Sequence, residues 1–117
     1  MSGFGNVILN KDRIYRLTVQ RPGSPLLTRE FGKVGELCFN LEVALHGVDP
    51  AGWSWADTSI DIFGDLDGER VTATVRCYMV QPVGLGIPDD PELYWYDTVA
   101  ETLRRRMNWG YALNDED

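Results

Sequence analysis

The sequence is poor in the side chains that most often carry chemistry, with one histidine and two cysteines among 117 residues. A structural zinc site needs about four Cys or His ligands at short spacings, and Cys38, His46 and Cys77 are too few. Nucleophilic catalysis needs a nucleophile beside a base, but Cys38 and His46 would lie too far apart along a strand to share a hydrogen bond. We therefore predict no catalytic group, no metal site and no cofactor.

Long apolar runs and targeting signals are also lacking. No stretch approaches the roughly 18 apolar residues that a transmembrane helix needs. Residues 1–10 have neither the basic start nor the apolar centre of a secretory signal peptide. We therefore expect a cytoplasmic protein without membrane contact, in which Cys38 and Cys77 are small buried residues rather than a disulfide.

What is present is the composition of an ordinary globular protein. The chain is 44% hydrophobic and 25% charged, and its length is that of one domain. We predict a single globular domain over residues 1–117 that ends in a short acidic C-terminal tail.

Negative charge is in excess and unevenly distributed, because 18 acidic side chains stand against 11 basic ones and give a net charge of −7. Residues 49–101 carry eleven acidic and two basic side chains, whereas residues 1–48 carry four acidic and six basic ones. An acidic field repels phosphate backbones, so we expect no direct nucleic-acid binding. The same field would attract a basic protein surface, although acidic charge also serves solubility alone.

The clearest local pattern is a β-hairpin. Two apolar segments, residues 58–63 and 70–81, flank Asp67-Gly68, a dipeptide suited to a two-residue turn. If these are the central turn residues, the apolar side chains of both strands fall on one face. The predicted register pairs Ile60 with Val75, Asp61 with Thr74 and Ile62 with Ala73.

Residues 36–46 fit two templates. As a helix, Leu37, Leu41 and Leu45 lie on one stripe, and Gly47 would end the element. As a strand, these leucines share a face with Phe39 and Val43, which the helix would leave on its polar side. We therefore predict a strand here and keep the helix as the alternative.

The fold class follows from the remaining segments. Residues 13–21 alternate as a strand does, residues 49–57 are predicted to be a loop, and Asp90-Pro91 is a favoured helix start. We predict an α+β fold in which a C-terminal helix, residues 91–108, packs on one face of an antiparallel sheet. The sheet has about four strands, formed by residues 13–21, 36–46, 58–63 and 70–81. A helix at 36–46 would change the order to β-α-β-β-α within the same class.

Aromatic residues set among acids are the candidate binding feature. Trp53 and Trp55 fall in the predicted loop, and Tyr94 and Trp95 fall on the first turn of the predicted helix. Aromatic anchors ringed by charge are typical of protein interfaces, although large side chains also cover sheet edges. The predicted partner-binding residues are Trp53, Trp55, Asp57, Asp65, Asp67, Glu69, Asp89, Asp90, Glu92, Tyr94, Trp95 and Asp97.

These features predict a non-enzymatic, acidic protein-binding module. We expect an inhibitor, by analogy with immunity proteins and phage anti-defence proteins, that covers a basic surface of a nuclease, a toxin or a nucleic-acid-binding protein. The analogy rests on charge and size alone. One alternative is a structural or self-assembling subunit of a virion or other large particle, with homo-oligomer contacts through the aromatic residues. A second is a small enzyme that uses carboxylates, which would need a pocket holding a carboxyl group of raised pKa.

Overall fold

The computed structural model describes residues 13–56, 58–79 and 91–114. These residues form the predicted α+β class, with five strands and two helices. The elements in chain order are β1 (Arg13–Gln20), β2 (Leu27–Phe31), α1 (Val34–Ala44), β3 (Asp49–Ala56), β4 (Ser59–Leu66), β5 (Glu69–Met79) and α2 (Pro91–Glu101), which continues as a π-helical turn over Thr102–Arg106.

The five strands form one antiparallel sheet in the order β2-β1-β5-β4-β3. The sheet has five strands where about four were predicted, because β2 and β3 are additional and the predicted strand at residues 36–46 is a helix. Strands β1 and β2 form a hairpin, and the pairing of β1 with β5 joins this hairpin to the other three strands.

The β4–β5 hairpin has the predicted register. Ile60 pairs with Val75, Asp61 with Thr74 and Ile62 with Ala73. Asp67 and Gly68 form the turn with φ angles of 55° and 83°. Both angles are positive, as a two-residue type I′ turn requires, so the turn chemistry and the apolar pattern agree.

Residues 36–46 are helical, and the predicted strand there is wrong. Helix α1 buries Leu37 and Leu41 completely and packs against β1 and β2. Phe39 and Val43, which favoured a strand, are 66% and 58% exposed on its outer side. The apolar face of β1 needs to be covered, and this requirement decides the conformation of residues 36–46. A helix can place Leu37 and Leu41 over that face and leave Phe39 and Val43 in solvent.

Residues 49–56, predicted to be a loop, form strand β3 at the edge of the sheet. Pro50 and Gly52 suggested a loop, but the register shifts between them in an irregularity of the β-bulge type. Proline is tolerated on edge strands and at bulges, because no ladder hydrogen bond is lost there.

Both helices cover the same face of the sheet. Trp95 of α2 packs against Tyr15 of β1, with ring centroids 6.1 Å apart, and α1 contacts both β1 and α2. The buried side of α2 and its π-helical continuation includes Trp95, Val99, Ala100 and Leu103, while Tyr96 is partly buried against the core. The opposite face of the sheet is not covered by any described element.

The two edges of the sheet differ. Along β3, the Leu113 amide donates to the Trp53 carbonyl at 2.6 Å. The Asn114 side chain then accepts from the Trp55 amide at 3.2 Å and donates to the Trp55 carbonyl at 2.6 Å. The C-terminal segment thus occupies this edge. Strand β2 pairs with β1 alone, and no other described strand lies beside it.

Candidate functional site

Four carboxylates gather where the β4–β5 hairpin turns, and we call Asp49, Asp65, Asp67 and Glu69 the acidic end. Asp49 and Asp65 are cross-strand partners, and Asp67 and Glu69 follow in the turn and at the start of β5. Arg70 is the nearby cation, with Nε 3.4 Å from Asp65 Oδ1 and both side chains about half exposed. Exposed pairs of this kind are weak, so the acidic end keeps its negative field.

A second group consists of Trp55, further along β3, and of Tyr96 and Asp97 on α2, and we call it the aromatic edge. The rings of Trp55 and Tyr96 are 5.0 Å apart between centroids, and Trp55 is 40% exposed. Asp97 is exposed on α2 directly after Tyr96. The Asn114 side chain hydrogen-bonds both the amide and the carbonyl of Trp55, so the backbone that carries the exposed indole is held in place.

The predicted binding residues Asp65, Asp67 and Glu69 therefore belong to one group, and Trp55 and Asp97 belong to another. Asp49 and Trp55 lie six residues apart on β3, which corresponds to about 20 Å of extended chain. Asp65, Asp67 and Glu69 lie at one end of the strand, and Trp55 and Asp97 lie toward the other.

Trp53 and Trp95 belong to the core, which corrects their prediction as contact residues. Trp53 is fully buried, and its indole Nε1 donates to the Gly110 carbonyl at 3.0 Å. Trp95 is 1% exposed against Tyr15. Alternation along β3 turns Trp53 inward beside its partner Ile62, whereas a loop would have left its direction open.

The remaining predicted residues cannot be assigned to either group. Asp57, Asp89 and Asp90 lie outside the described residues. Glu92 and Tyr94 belong to the first turn of α2, and their side chains lie outside the described part of the structure. Their contact with a partner stays a prediction.

The uncovered face of the sheet carries polar residues that the sequence did not single out. One row crosses all five strands through Thr28, Thr18, Thr74, Asp61 and Ser54. Thr74 Oγ1 donates to Asp61 at 2.9 Å. These residues occupy the outward positions of their strands, but seeing them as one row requires the strand order, which no local pattern supplies.

Three kinds of reactive group could carry chemistry among the described side chains: thiols, buried polar groups and clusters of metal ligands. Burial raises the pKa of the Cys38 thiol, and a thiol of raised pKa is a weaker nucleophile at neutral pH. Thr102 is the one buried polar side chain among the described residues. Within that same part of the chain, no three His, Cys, Asp or Glu side chains are grouped to hold a metal ion.

Comparison of the chain with protein-family models, with curated proteins and with solved structures gave no match. Neither α1 nor α2 has the length and apolar character that crossing a membrane requires.

Proposed function

We propose that this protein is a non-enzymatic binding module of the inhibitor type, which covers a basic surface of a partner protein. The observation that carries the proposal is the acidic end, where Asp49 of β3 lies opposite Asp65 of the β4–β5 hairpin, Asp67 and Glu69 follow at its turn, and one weakly paired arginine lies nearby. The partner's basic surface would be one that otherwise binds nucleic acid, as in a nuclease or a toxin.

The arrangement suits electrostatic capture. Strands β3 to β5 and the connections between them, residues 49–79, contain six acidic and two basic side chains. A concentrated field of one sign speeds encounter with a surface of opposite sign and rejects surfaces of like sign. The hairpin also fixes the backbone of Asp65, Asp67 and Glu69 before binding, so little backbone ordering entropy is lost on association.

The aromatic edge supplies a contact of a different kind. Trp55 is partly exposed beside Tyr96, and tryptophan and tyrosine are enriched among the residues that contribute most to protein interfaces. In this proposal the acidic end steers the partner, and Trp55 provides apolar contact along β3.

The two other hypotheses differ in their support. The open edge at β2 favours self-association as a second property of the chain. The carboxylate-dependent enzyme would need an enclosed carboxyl group, and no Asp or Glu side chain of the described residues is buried. That hypothesis stays a prediction without a supporting observation.

A pair of charge-matched variants tests the proposal. Asp67→Asn with Glu69→Gln removes two charges from the acidic end, and Asn suits the positive φ of residue 67. Glu36→Gln with Glu101→Gln removes two exposed charges elsewhere. Each variant is used as bait in a lysate of the producing organism at low and at high salt, and the retained proteins are quantified by mass spectrometry.

We expect the wild type and the Glu36/Glu101 variant to retain the same basic protein at low salt and to release it as salt rises. The Asp67/Glu69 variant should retain several-fold less of it, because the lost charges lie in the steering field. Equal retention by both variants, or a partner whose retention does not depend on salt, would contradict the proposal.

A further inference from the structure

Strand β2 is the edge at which this sheet can grow. Edge strands present a row of unpaired N–H and C=O groups that can pair with another strand. Among the described residues, Leu113 and Asn114 occupy the β3 edge, whereas β2 pairs on one side only. Four of the five β2 residues are exposed.

Apolar side chains accompany this open edge. Leu26 and Leu27 are 58% and 46% exposed, and Val43 of α1 is 58% exposed. A cavity of about 170 Å³ lies between β2 and α1, lined by Leu27, Arg29 and Val43 among others. Clustered apolar surface beside unpaired backbone is a feature of interaction sites.

The distribution of charge favours a second copy of this chain as the occupant. The segment from β1 to α1 and its following turn, residues 13–48, carries five basic and three acidic side chains. The member of the acidic end nearest to β2 is Glu69 on β5, two strands away, and Asp65 and Asp49 lie beyond it on β4 and β3. In a β2–β2 pair the two Glu69 residues would therefore be five strand spacings apart, which is about 24 Å at about 4.8 Å per strand. Two copies of a chain with net charge −7 can therefore meet at β2 while their acidic ends stay beyond the screening length of physiological salt.

We propose that β2 pairs antiparallel with β2 of a second copy, about a two-fold axis at Thr28. The helix-covered faces of the two copies lie on the same side of the joined sheet only if the axis passes through a residue. An axis between two residues would shift the register by one and place inward side chains beside outward ones. An axis at Arg29 would place two guanidinium groups opposite each other. An axis at Thr28 places Leu27 opposite Arg29 and joins two threonines, a favourable cross-strand pair.

The pairing gives a closed dimer with a continuous ten-stranded sheet. The row of polar residues on the uncovered face continues across the axis, since Thr28 is its last member in each copy. Because the contact uses the same surface twice and the β3 edges are occupied, assembly stops at two copies. This inference does not depend on the proposed function, and the dimer would display two acidic ends at its opposite extremes.

Cross-linking tests the register. In the proposed pairing the two residue-28 Cα atoms lie about 4.5–5.5 Å apart, which suits a disulfide. Thr28→Cys should form a covalent dimer of twice 13.2 kDa under mild oxidation. Wild type, whose Cys38 and Cys77 are buried, and Thr74→Cys, which lies inside the sheet, should not. Failure of Thr28→Cys to cross-link, or stronger cross-linking of Arg29→Cys, would overturn the proposed register.

Sedimentation equilibrium tests the dimer without cross-linking. The wild type should approach twice 13.2 kDa as its concentration rises. Leu27→Lys should raise the dimer dissociation constant at least tenfold, because it removes apolar contact and brings charges together at the axis. Leu113→Lys is the matched control, since Leu113 is 64% exposed at the opposite edge.

Circular dichroism should show native folds for both lysine variants, because Leu27 and Leu113 are 46% and 64% exposed in the single copy. A wild type that stays at 13.2 kDa at every concentration, or a Leu113→Lys variant that dissociates as Leu27→Lys does, would overturn the proposal.

Discussion

Replacing Trp53 with alanine should lower the free energy of unfolding by about 3–5 kcal/mol. Trp53 is fully buried between the sheet and α2, 6.3 Å from Tyr96 between ring centroids, and its Nε1 donates to the Gly110 carbonyl. The variant loses its buried area, leaves a cavity and leaves that carbonyl without its donor. Urea unfolding followed by circular dichroism measures the loss.

Trp55→Ala is the control for this prediction, because it removes the same residue type from the same strand. Trp55 is 40% exposed, so we expect a loss of about 1 kcal/mol or less. If the two variants lost equal stability, Trp53 would not have the core position that the structure gives it.

Replacing Gly64 with alanine should also destabilise the protein, by about 1–3 kcal/mol or more. A Cβ at Gly64 would overlap the Val48 side chain, lie 2.7 Å from the Asp49 carbonyl oxygen and lie 3.1 Å from the Trp109 ring. Trp109 cannot easily move aside, because its Nε1 donates to the Phe63 carbonyl at 3.0 Å. The same urea titration measures the effect.

Gly35→Ala is the control, since Gly35 lies in the first turn of α1 and a Cβ there would meet nothing within 4 Å. Alanine should be neutral or stabilise this position by up to about 1 kcal/mol, because it restricts the unfolded chain and favours the helix. Equal destabilisation by both substitutions would mean that contact with Val48, Asp49 and Trp109 is not what excludes a side chain at residue 64.

Local chemistry was enough to predict the hairpin but not α1 or β3. Asp67-Gly68 and its flanking apolar residues specify a turn and a register within a few residues of one another. Residues 36–46 satisfy both the helix and the strand periodicity. The packing of Leu37 and Leu41 against β1, which is distant in sequence, decides between them. Strand β3 contains Pro50 and Gly52, which lower local strand propensity, and pairing with β4 overrides them at an edge.

The same distinction between local and long-range contacts applies to the acidic end. Asp65, Asp67 and Glu69 lie together because they are close in sequence around a predictable turn. Asp49 joins them only through the β3–β4 pairing, which the sequence did not reveal. Trp95 was predicted as a contact residue because acidic residues surround it in the sequence, but its direction is set by the packing of α2 on β1, where it contacts Tyr15.

The central claim is that the acidic end steers a basic partner, and an association rate tests it most directly. The measurement uses the basic protein retained by the wild type, with its binding to immobilised wild type and to both charge variants followed over a range of salt concentrations. We predict that the wild-type rate falls steeply as salt rises and that Asp67→Asn with Glu69→Gln lowers the low-salt rate several-fold more than Glu36→Gln with Glu101→Gln does. Equal rates for the two variants, or a wild-type rate indifferent to salt, would contradict the account.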